Sequence, residues 1–254
     1  MKTLLIDIES APSLAYVWDY FKAYINPNQV LDNGYIISYA AKWLGQEEVM
    51  YNENRKFDDT SIVTEIIELL DEADVVIAHN AKKFDIPTIN ARAIVAGLKP
   101  PSPYRIVDTL HVAKNEFRFK KNSLEHIANQ LKCTPKGGHK KFPGFELWLE
   151  CLRNNGEAWQ ELMEYNVQDV QTLEEVYLKL RPWIKNHPNV GVYKESDKPL
   201  CPVCGSDHHH FRGYYRTRVG KYRRFRCLDC GHWGRSRYTE YPKHKIKELM
   251  VSAG

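Results

Sequence analysis

Two cysteine pairs, Cys201-x2-Cys204 and Cys227-x2-Cys230, stand 22 residues apart near the end of a 254-residue chain. Four thiols at that spacing are the ligand set of a tetrahedral four-thiolate zinc site. A segment of about 50 residues cannot bury enough apolar surface to fold by its core alone, so an ion would act as its staple. The cysteines therefore divide the chain. Residues 1–185 are expected to form one large domain, 186–198 a linker, and 199–254 a small zinc ribbon holding one structural Zn²⁺. The neighbouring His208, His209, His210 and His232 could replace a ligand, but four thiolates already complete the tetrahedron, so the histidine triplet is expected to be solvated. Cys133 and Cys151 are isolated and are expected to be reduced, structural thiols.

The charge is divided in the same way. Residues 1–198 hold 24 Lys+Arg against 28 Asp+Glu, whereas 199–254 hold 12 against 4. A mildly acidic body with a strongly basic tail points to a tail that meets a polyanion. With 43% hydrophobic and 27% charged residues the chain is of the ordinary globular kind. No stretch is long and apolar enough for a membrane span, and "MKTLLIDIES" carries acids where a signal peptide would be apolar, so a cytoplasmic protein is expected.

"TLLIDIES" reads as a buried strand, and "YIISYAAKWLG" with "EEVMYN" as a hairpin turning over Gly45-Gln46. "DDTSIVTEIIELLDEA" is a helix with a cap signal at Asp59 or Thr60. "DVVIAHNA" is a second buried strand, and "DIPTINARAIVAGL" a helix with Pro87 near its start and Gly97 near its end. "YRIVDTLHVA" predicts a fifth strand leading into a turn, and "SLEHIANQLK" a short capped helix. Residues 132–145 are a Gly/Pro/Lys-rich loop, followed by a long helical region over 157–184. Three strands followed by strand–helix alternation predict an α/β fold: a mixed five-stranded sheet flanked by helices.

Asp7 and Glu9 are two apart on the first strand, so their carboxylates share a side. Two acids ending an apolar strand are costly unless paired, metal-bound or exposed where the strand runs out. Asp85 opens a helix after a buried strand, where it can serve as a first-turn acid, and Asn80 lies in the turn before it. Tyr165 and Asp169 stand four apart, one turn of a single helix face.

Taken in order, Asp7-Ile8-Glu9, the Asn80-x3-Phe84-Asp85 segment and Tyr165-x3-Asp169 resemble the DnaQ-like 3′–5′ exonucleases of the ribonuclease H-like superfamily, in the subgroup with tyrosine in its third motif. "VDTL" and "SLEHIANQL" extend the likeness over roughly residues 1–180, and the proofreading domain of family B polymerases is the related branch. The resemblance implies that Asp7, Glu9, Asp85 and Asp169 hold two Mg²⁺ or Mn²⁺ ions and that Tyr165 orients or helps deprotonate the attacking water. The chemistry agrees: hard carboxylate oxygens suit those cations, and a phenol with a pKa near 10 is a poor base. Asp108 is expected to be structural, as are His79 and His111. The resemblance also implies that residues after the first strand (Leu14, Tyr16, Trp18 and Tyr20) separate or stack terminal bases, unless they cover the sheet.

Around these acids, Asn80 and the loop residues Lys136, His139, Lys140 and Lys141 are candidate contacts to the backbone of a single strand. In the ribbon, "FRGYYRTRVGKYRRFRC" alternates cations with aromatics at strand spacing and resembles the ribbons of transposases and other nucleic-acid enzymes. Arg212, Arg216, Arg218, Lys221, Arg223, Arg224 and Arg226 are candidate phosphate contacts of a salt-sensitive, sequence-independent kind. The leading expectation is a two-metal 3′–5′ exonuclease acting on single-stranded 3′ ends of DNA, its ribbon binding nucleic acid. RNA is the alternative polymer, and a replication or repair protein the alternative partner of the ribbon. An endonuclease of the same superfamily and a catalytically idle nucleic-acid-binding adaptor are the competing functions. Only an endonuclease would cut a circular strand, and a degenerate adaptor would be expected to have lost one of the acids.

Overall fold

A computed structural model describes residues 1–19, 21, 24–134 and 141–253. The chain divides into two compact units, Lys2–Tyr177 and Leu178–Gly254, the latter joined by Met1. Among the described residues, no helix is long and apolar enough to cross a membrane.

The first unit is built on a five-stranded sheet. Its strands are β1 (Thr3–Ser10), β4 (Ile36–Trp43), β5 (Met50–Glu53), β6 (Val75–Ala78) and β7 (Arg105–Asp108), ordered β5-β4-β1-β6-β7. β1 runs antiparallel to β4 and parallel to β6, and β6 runs parallel to β7, so the sheet is mixed as expected. A separate hairpin pairs β2 (Leu14–Ala15) with β3 (Val30–Asp32). The helices are α1 (Thr60–Glu72), α2 (Asp85–Val95), α3 (Thr109–Glu116), α4 (Leu124–Gln130), α5 (Glu146–Leu152) and α6 (Gly156–Leu180).

Strand alternation decides what each face packs against. Leu4, Ile6 and Ile8 of β1 enter one core with Ile62, Val63 and Ile66 of α1 and Ile86 and Ile89 of α2. Ile37 of β4 packs on the other face with Leu147 and Cys151 of α5 and Ala158, Trp159 and Leu162 of α6. The fifth strand is shorter than the sequence pattern suggested: it ends at Asp108 and gives way at once to α3. The carboxylate of Asp108 starts that helix by accepting the amide of His111 at 3.1 Å, a cap on a strand end that the apolar run conceals.

Asp59 also differs from its expected role. It precedes α1 but makes no side-chain cap. Its carboxylate is 2% exposed and takes Arg92 of α2 in a two-pronged pair, at 2.7 Å from Nε and 2.6 Å from Nη2. It also accepts the amide of Ile36 at the head of β4, at 2.9 Å. One buried acid thus joins α1, α2 and the central sheet, two helical turns along α2 from Asp85. Replacing one partner strands the other in a low-dielectric interior. We expect Asp59→Ala to cost about 3 kcal/mol, read as a lowered midpoint in chemical denaturation; a loss below about 0.5 kcal/mol would show that the pair does not hold α2.

The second unit carries a three-stranded antiparallel sheet ordered β10-β9-β8, from β8 (His209–Arg216), β9 (Lys221–Cys227) and β10 (Trp233–Arg235), then α7 (Lys243–Glu248). The stretch 186–198, expected as a linker, belongs to this unit. Val190 is buried and its amide donates to the Pro202 carbonyl at 2.8 Å, while His232 Nδ1 lies 2.9 Å from the Pro182 carbonyl.

Candidate functional site: an acidic cleft and a thiolate cluster

β1 pairs with β6 only over Thr3–Leu5, whereas its pairing with β4 continues to Ser10. The strand therefore runs on past its parallel neighbour, and Asp7 and Glu9 lie on this extension. A register shift immediately follows Glu9, a bulge of the sort that re-aims side chains at strand ends. Both acids point away from the core of α1 and α2 and toward α5 and α6.

Each acid is met there by a donor. Asn166 of α6 donates from Nδ2 to Asp7 Oδ2 at 2.7 Å, and its own Oδ1 accepts the hydroxyl of Ser38 at 3.1 Å. Ser38 is the cross-strand neighbour of Glu9, so the sheet register orients the amide that orients Asp7. Trp148 of α5 donates its indole N–H to Glu9 Oε2 at 3.1 Å and meets the ring of Tyr165 edge-on, centroids 6.2 Å apart. Asn166 and Trp148 escaped the sequence reading. The only signal for Asn166 is a polar residue on the buried stripe of α6; for Trp148 it is an aromatic in an otherwise aliphatic turn.

Tyr165 and Asp169 share the inward face of α6, and the phenol lies within the field of Asp169, Glu9 and Asp7. Burial first, and then those carboxylates, push the Tyr165 hydroxyl well above the ordinary tyrosine range. With no cation bound, the phenol keeps its proton at neutral pH.

Asp85 stands beside Ile8 of β1. Asn80 stands in the left-handed region, at φ 80°, a conformation asparagine tolerates. Its amide and that of Lys82 each donate to Asp108 at 3.1 Å, which fixes the turn that delivers Asp85 to the first position of α2. The Asp85 side chain is 1% exposed and both its carboxylate oxygens lack a hydrogen-bond partner. Burial pushes its pKa up to about 7, helped by the charge of Asp108; the amides of Asp85 itself and of Ile8 lean the other way without reaching hydrogen-bond geometry. An orphaned buried carboxylate next to β1 is what a cation site needs and what a structural acid avoids. No three of these acids bring oxygens within 4.8 Å of one another; among the described residues only the cysteines do so.

Residues 28–181 match the family described as the RNase_H superfamily (RNase_H_2). The chain belongs to the RNase H superfamily. That match takes in Asp85, Tyr165 and Asp169, while Asp7 and Glu9 precede it. The DNA polymerase III subunit epsilon of Buchnera aphidicola subsp. Baizongia pistaciae (strain Bp) is 33% identical over 115 residues, 44% of this chain and 43% of that protein. The chain thus spans less than half the length of this curated relative. The family B DNA polymerase of the hyperthermophilic archaeon Pyrobaculum calidifontis is 16% identical with a TM-score of 0.53, over 72% of this chain and 25% of that one. At that identity the likeness is one of fold.

Of the expected contacts around the cleft, Lys136, His139 and Lys140 lie outside the described residues, as does Tyr20. Lys141 is engaged with α6: its amide donates to Glu161 at 3.0 Å and its ammonium pairs with Glu157. The hairpin residues Leu14, Tyr16 and Trp18 do not cover the sheet; they are exposed, Trp18 completely. His79 is structural, its ring bonded to Thr109 and the Asn122 carbonyl, each at 2.9 Å.

In the second unit the four thiols close on one another. Cys201 and Cys230 Sγ are 3.8 Å apart, and Cys204 and Cys227 Sγ 3.6 Å. A tetrahedron with arms of roughly 2.3 Å has edges of about 3.8 Å, so the donor set fits a four-thiolate zinc ion. Each Cys-x2-Cys is followed by a glycine at positive φ, Gly205 at 73° and Gly231 at 81°. At these turns the amides of Gly205 and Gly231 bond back to Cys201 and Cys227. Burial raises Cys227, but the amides of Cys230 and Asp229 outweigh it and bring the thiol down to about 7. Burial pushes Cys201 up to about 11. The histidine triplet is not uniformly solvated: the His209 ring packs 5.2 Å from Phe211 and 5.3 Å from Phe225.

Two outcomes follow from these environments. Asp85 is protonated more readily folded than unfolded, so between about pH 4 and 7 the metal-free protein loses stability as pH rises, and above 7 the full penalty stands. Asp85→Asn should then raise the metal-free melting midpoint by a few degrees at pH 8 and leave it nearly unchanged at pH 4; an equal shift at both pH values would assign the effect to packing. Chelation that strips the cysteine cluster, or Cys227→Ser, should unfold the second unit and leave the first intact. Calorimetry with a thiol-reactive dye would show this as loss of one transition and exposure of the Cys201 unit alone.

Proposed function

We propose that the chain is a two-metal-ion 3′–5′ exonuclease that removes nucleotides from single-stranded 3′ ends of DNA. The observation that carries this is the meeting of Asp7 and Glu9 on one strand extension with Tyr165 and Asp169 on α6, beside a buried, unpartnered Asp85. The naming of its relatives after DNA polymerases supports DNA as the polymer. Divalent ions, Mg²⁺ or Mn²⁺, would be held by Asp7, Glu9, Asp85 and Asp169 and would supply hydroxide at neutral pH while offsetting charge on the attacking and leaving oxygens.

The chain's own residues then have defined tasks. Asn166 and Trp148 lock the rotamers of Asp7 and Glu9, so the carboxylates need no reorganisation when a scissile phosphate arrives. Tyr165 keeps its proton, so it positions the attacking water by hydrogen bonding. In the reaction a water oxygen bonds to phosphorus, the P–O3′ bond breaks, and the departing 3′ oxygen gains a proton. The four thiolates would hold one Zn²⁺, and the ribbon would tether the nucleic acid through its arginines, with a replication or repair protein as an alternative occupant. A reducing cytoplasm suits the six free thiols.

The test is a time course on 5′-labelled single-stranded DNA and RNA of equal sequence, with Mg²⁺ or Mn²⁺, beside Asp7→Ala. The expected result is a ladder shortening from the 3′ end on DNA, at least a thousandfold slower in the variant, in keeping with loss of a catalytic metal ligand. Faster shortening of RNA would change the polymer. Cleavage of a circular strand would indicate an endonuclease, and no cleavage of any strand would sink the enzyme reading.

A further inference from the structure

The two faces of the ribbon sheet are chemically different. Register and alternation put Phe225 and Cys227 of β9 on an inner face with His209 and Phe211 of β8, beside the thiolate cluster. The opposite face carries Tyr222, Arg224 and Arg226 of β9. Tyr215 of β8 lies across from Tyr222; Trp233 and Arg235 of β10 lie across from Arg226 and Arg224. Gly234 between them is a necessity: a Cβ there would come within 2.4 Å of the Phe225 ring. That close seating lets β10 lie flat on β9 and extends the outer face to a third strand.

On this face cations and rings are already stacked. The Arg235 guanidinium lies 3.9 Å from the centroid of Tyr222 and 5.8 Å from that of Tyr215, and Arg224 lies 4.9 Å from that of Trp233. Tyr215 is 50% and Trp233 44% exposed, and Arg224, Arg226 and Arg235 are exposed beside them. The three strands contain seven Lys and Arg and no Asp or Glu.

We propose that this outer face is a stacking platform for single-stranded DNA, with unpaired bases on Trp233, Tyr215 and Tyr222 and phosphates on Arg224, Arg226 and Arg235. The proposal rests on the nucleic-acid reading above and assigns it a face and a strand form. A duplex keeps its base faces stacked on one another and offers only phosphates, so it could use the arginines but not the rings. An unpaired strand uses both. A guanidinium already lying on an aromatic ring adds a further flat cation against a base, at little cost in side-chain freedom. Arg223, another candidate phosphate contact, lies on the inner face, its guanidinium 4.2 Å from the Phe211 ring.

The experiment measures equilibrium anisotropy with the full chain carrying Asp7→Ala, so that probes stay intact. The probes are labelled oligothymidine, the same strand with abasic sugars, a duplex of equal length, and oligouridine. Trp233→Leu combined with Tyr215→Leu should weaken oligothymidine binding tenfold or more, at roughly 1–3 kcal/mol per stacked base, without changing the salt slope. Tyr214→Leu, an equally exposed ring of the inner face, should leave it within about twofold, and Arg226→Gln should lower the salt slope by about 0.7. Zinc content equal to the parent's shows each variant to be folded. Abasic strand bound as tightly as oligothymidine, equal losses from Tyr214→Leu, or tighter binding of duplex or oligouridine would each overturn the platform. Wild-type shortening of DNA without these effects would sink the platform alone, and these effects without shortening would sink the nuclease alone.

Discussion

A charged side chain at the end of a buried central strand is the constraint around which the first unit is arranged. Asp7 and Glu9 continue the strand that supplies Leu4, Ile6 and Ile8 to the core, so they cannot be moved into solvent without pulling the core apart. The fold meets this by ending β6 early, which opens one flank of the extension, and by bringing two helices to the other face with a donor each. Each of those donors is fixed in turn, Asn166 by Ser38 and Trp148 by its contact with Tyr165. Side-chain orientation here is inherited from sheet register, which is why a site assembled from residues 7, 85, 148 and 166 can be held without covalent staples.

Much of this was legible in the chain. The five strands, the acid pair on β1 and the helical face of Tyr165 and Asp169 follow from periods of two and 3.6. What periodicity could not show were the long-range tasks of single polar residues. Asp59 reads as a helix cap because cap chemistry is local, yet its carboxylate is used 33 residues away on Arg92. Asp108 reads as a strand-end acid, yet it fixes the turn before Asp85 and caps α3. The exposed hairpin bearing Tyr16 and Trp18 was hidden for the opposite reason: aromatics at strand spacing imply burial, and here they stand in solvent.

The ribbon obeys a different logic. Its strands are short and mostly exposed, so little apolar burial holds them, and the buried part is the thiolate cluster with Val203 and Phe225. Glycine at positive φ after each cysteine pair shapes the two knuckles. Backbone amides of Cys230 and Asp229, with the neighbouring thiols, bring Cys227 down to about 7.

The state of Tyr165 bears on how the acidic cleft would work. Every group that pushes the phenol up, Asp169, Glu9 and Asp7, is one that cations would neutralise. Bound ions would therefore relax the shift, but burial, its largest cause, would remain, and an unshifted phenol is still near 10. On the proposed reading the two groups would divide the labour of the cleft: Asp85, pushed up to about 7, would make cation loading depend on pH, whereas Tyr165 would contribute geometry. Any fall of activity below neutrality would on this account reflect cation affinity, and it would be relieved by raising the cation concentration, whereas titration of a catalytic base would not.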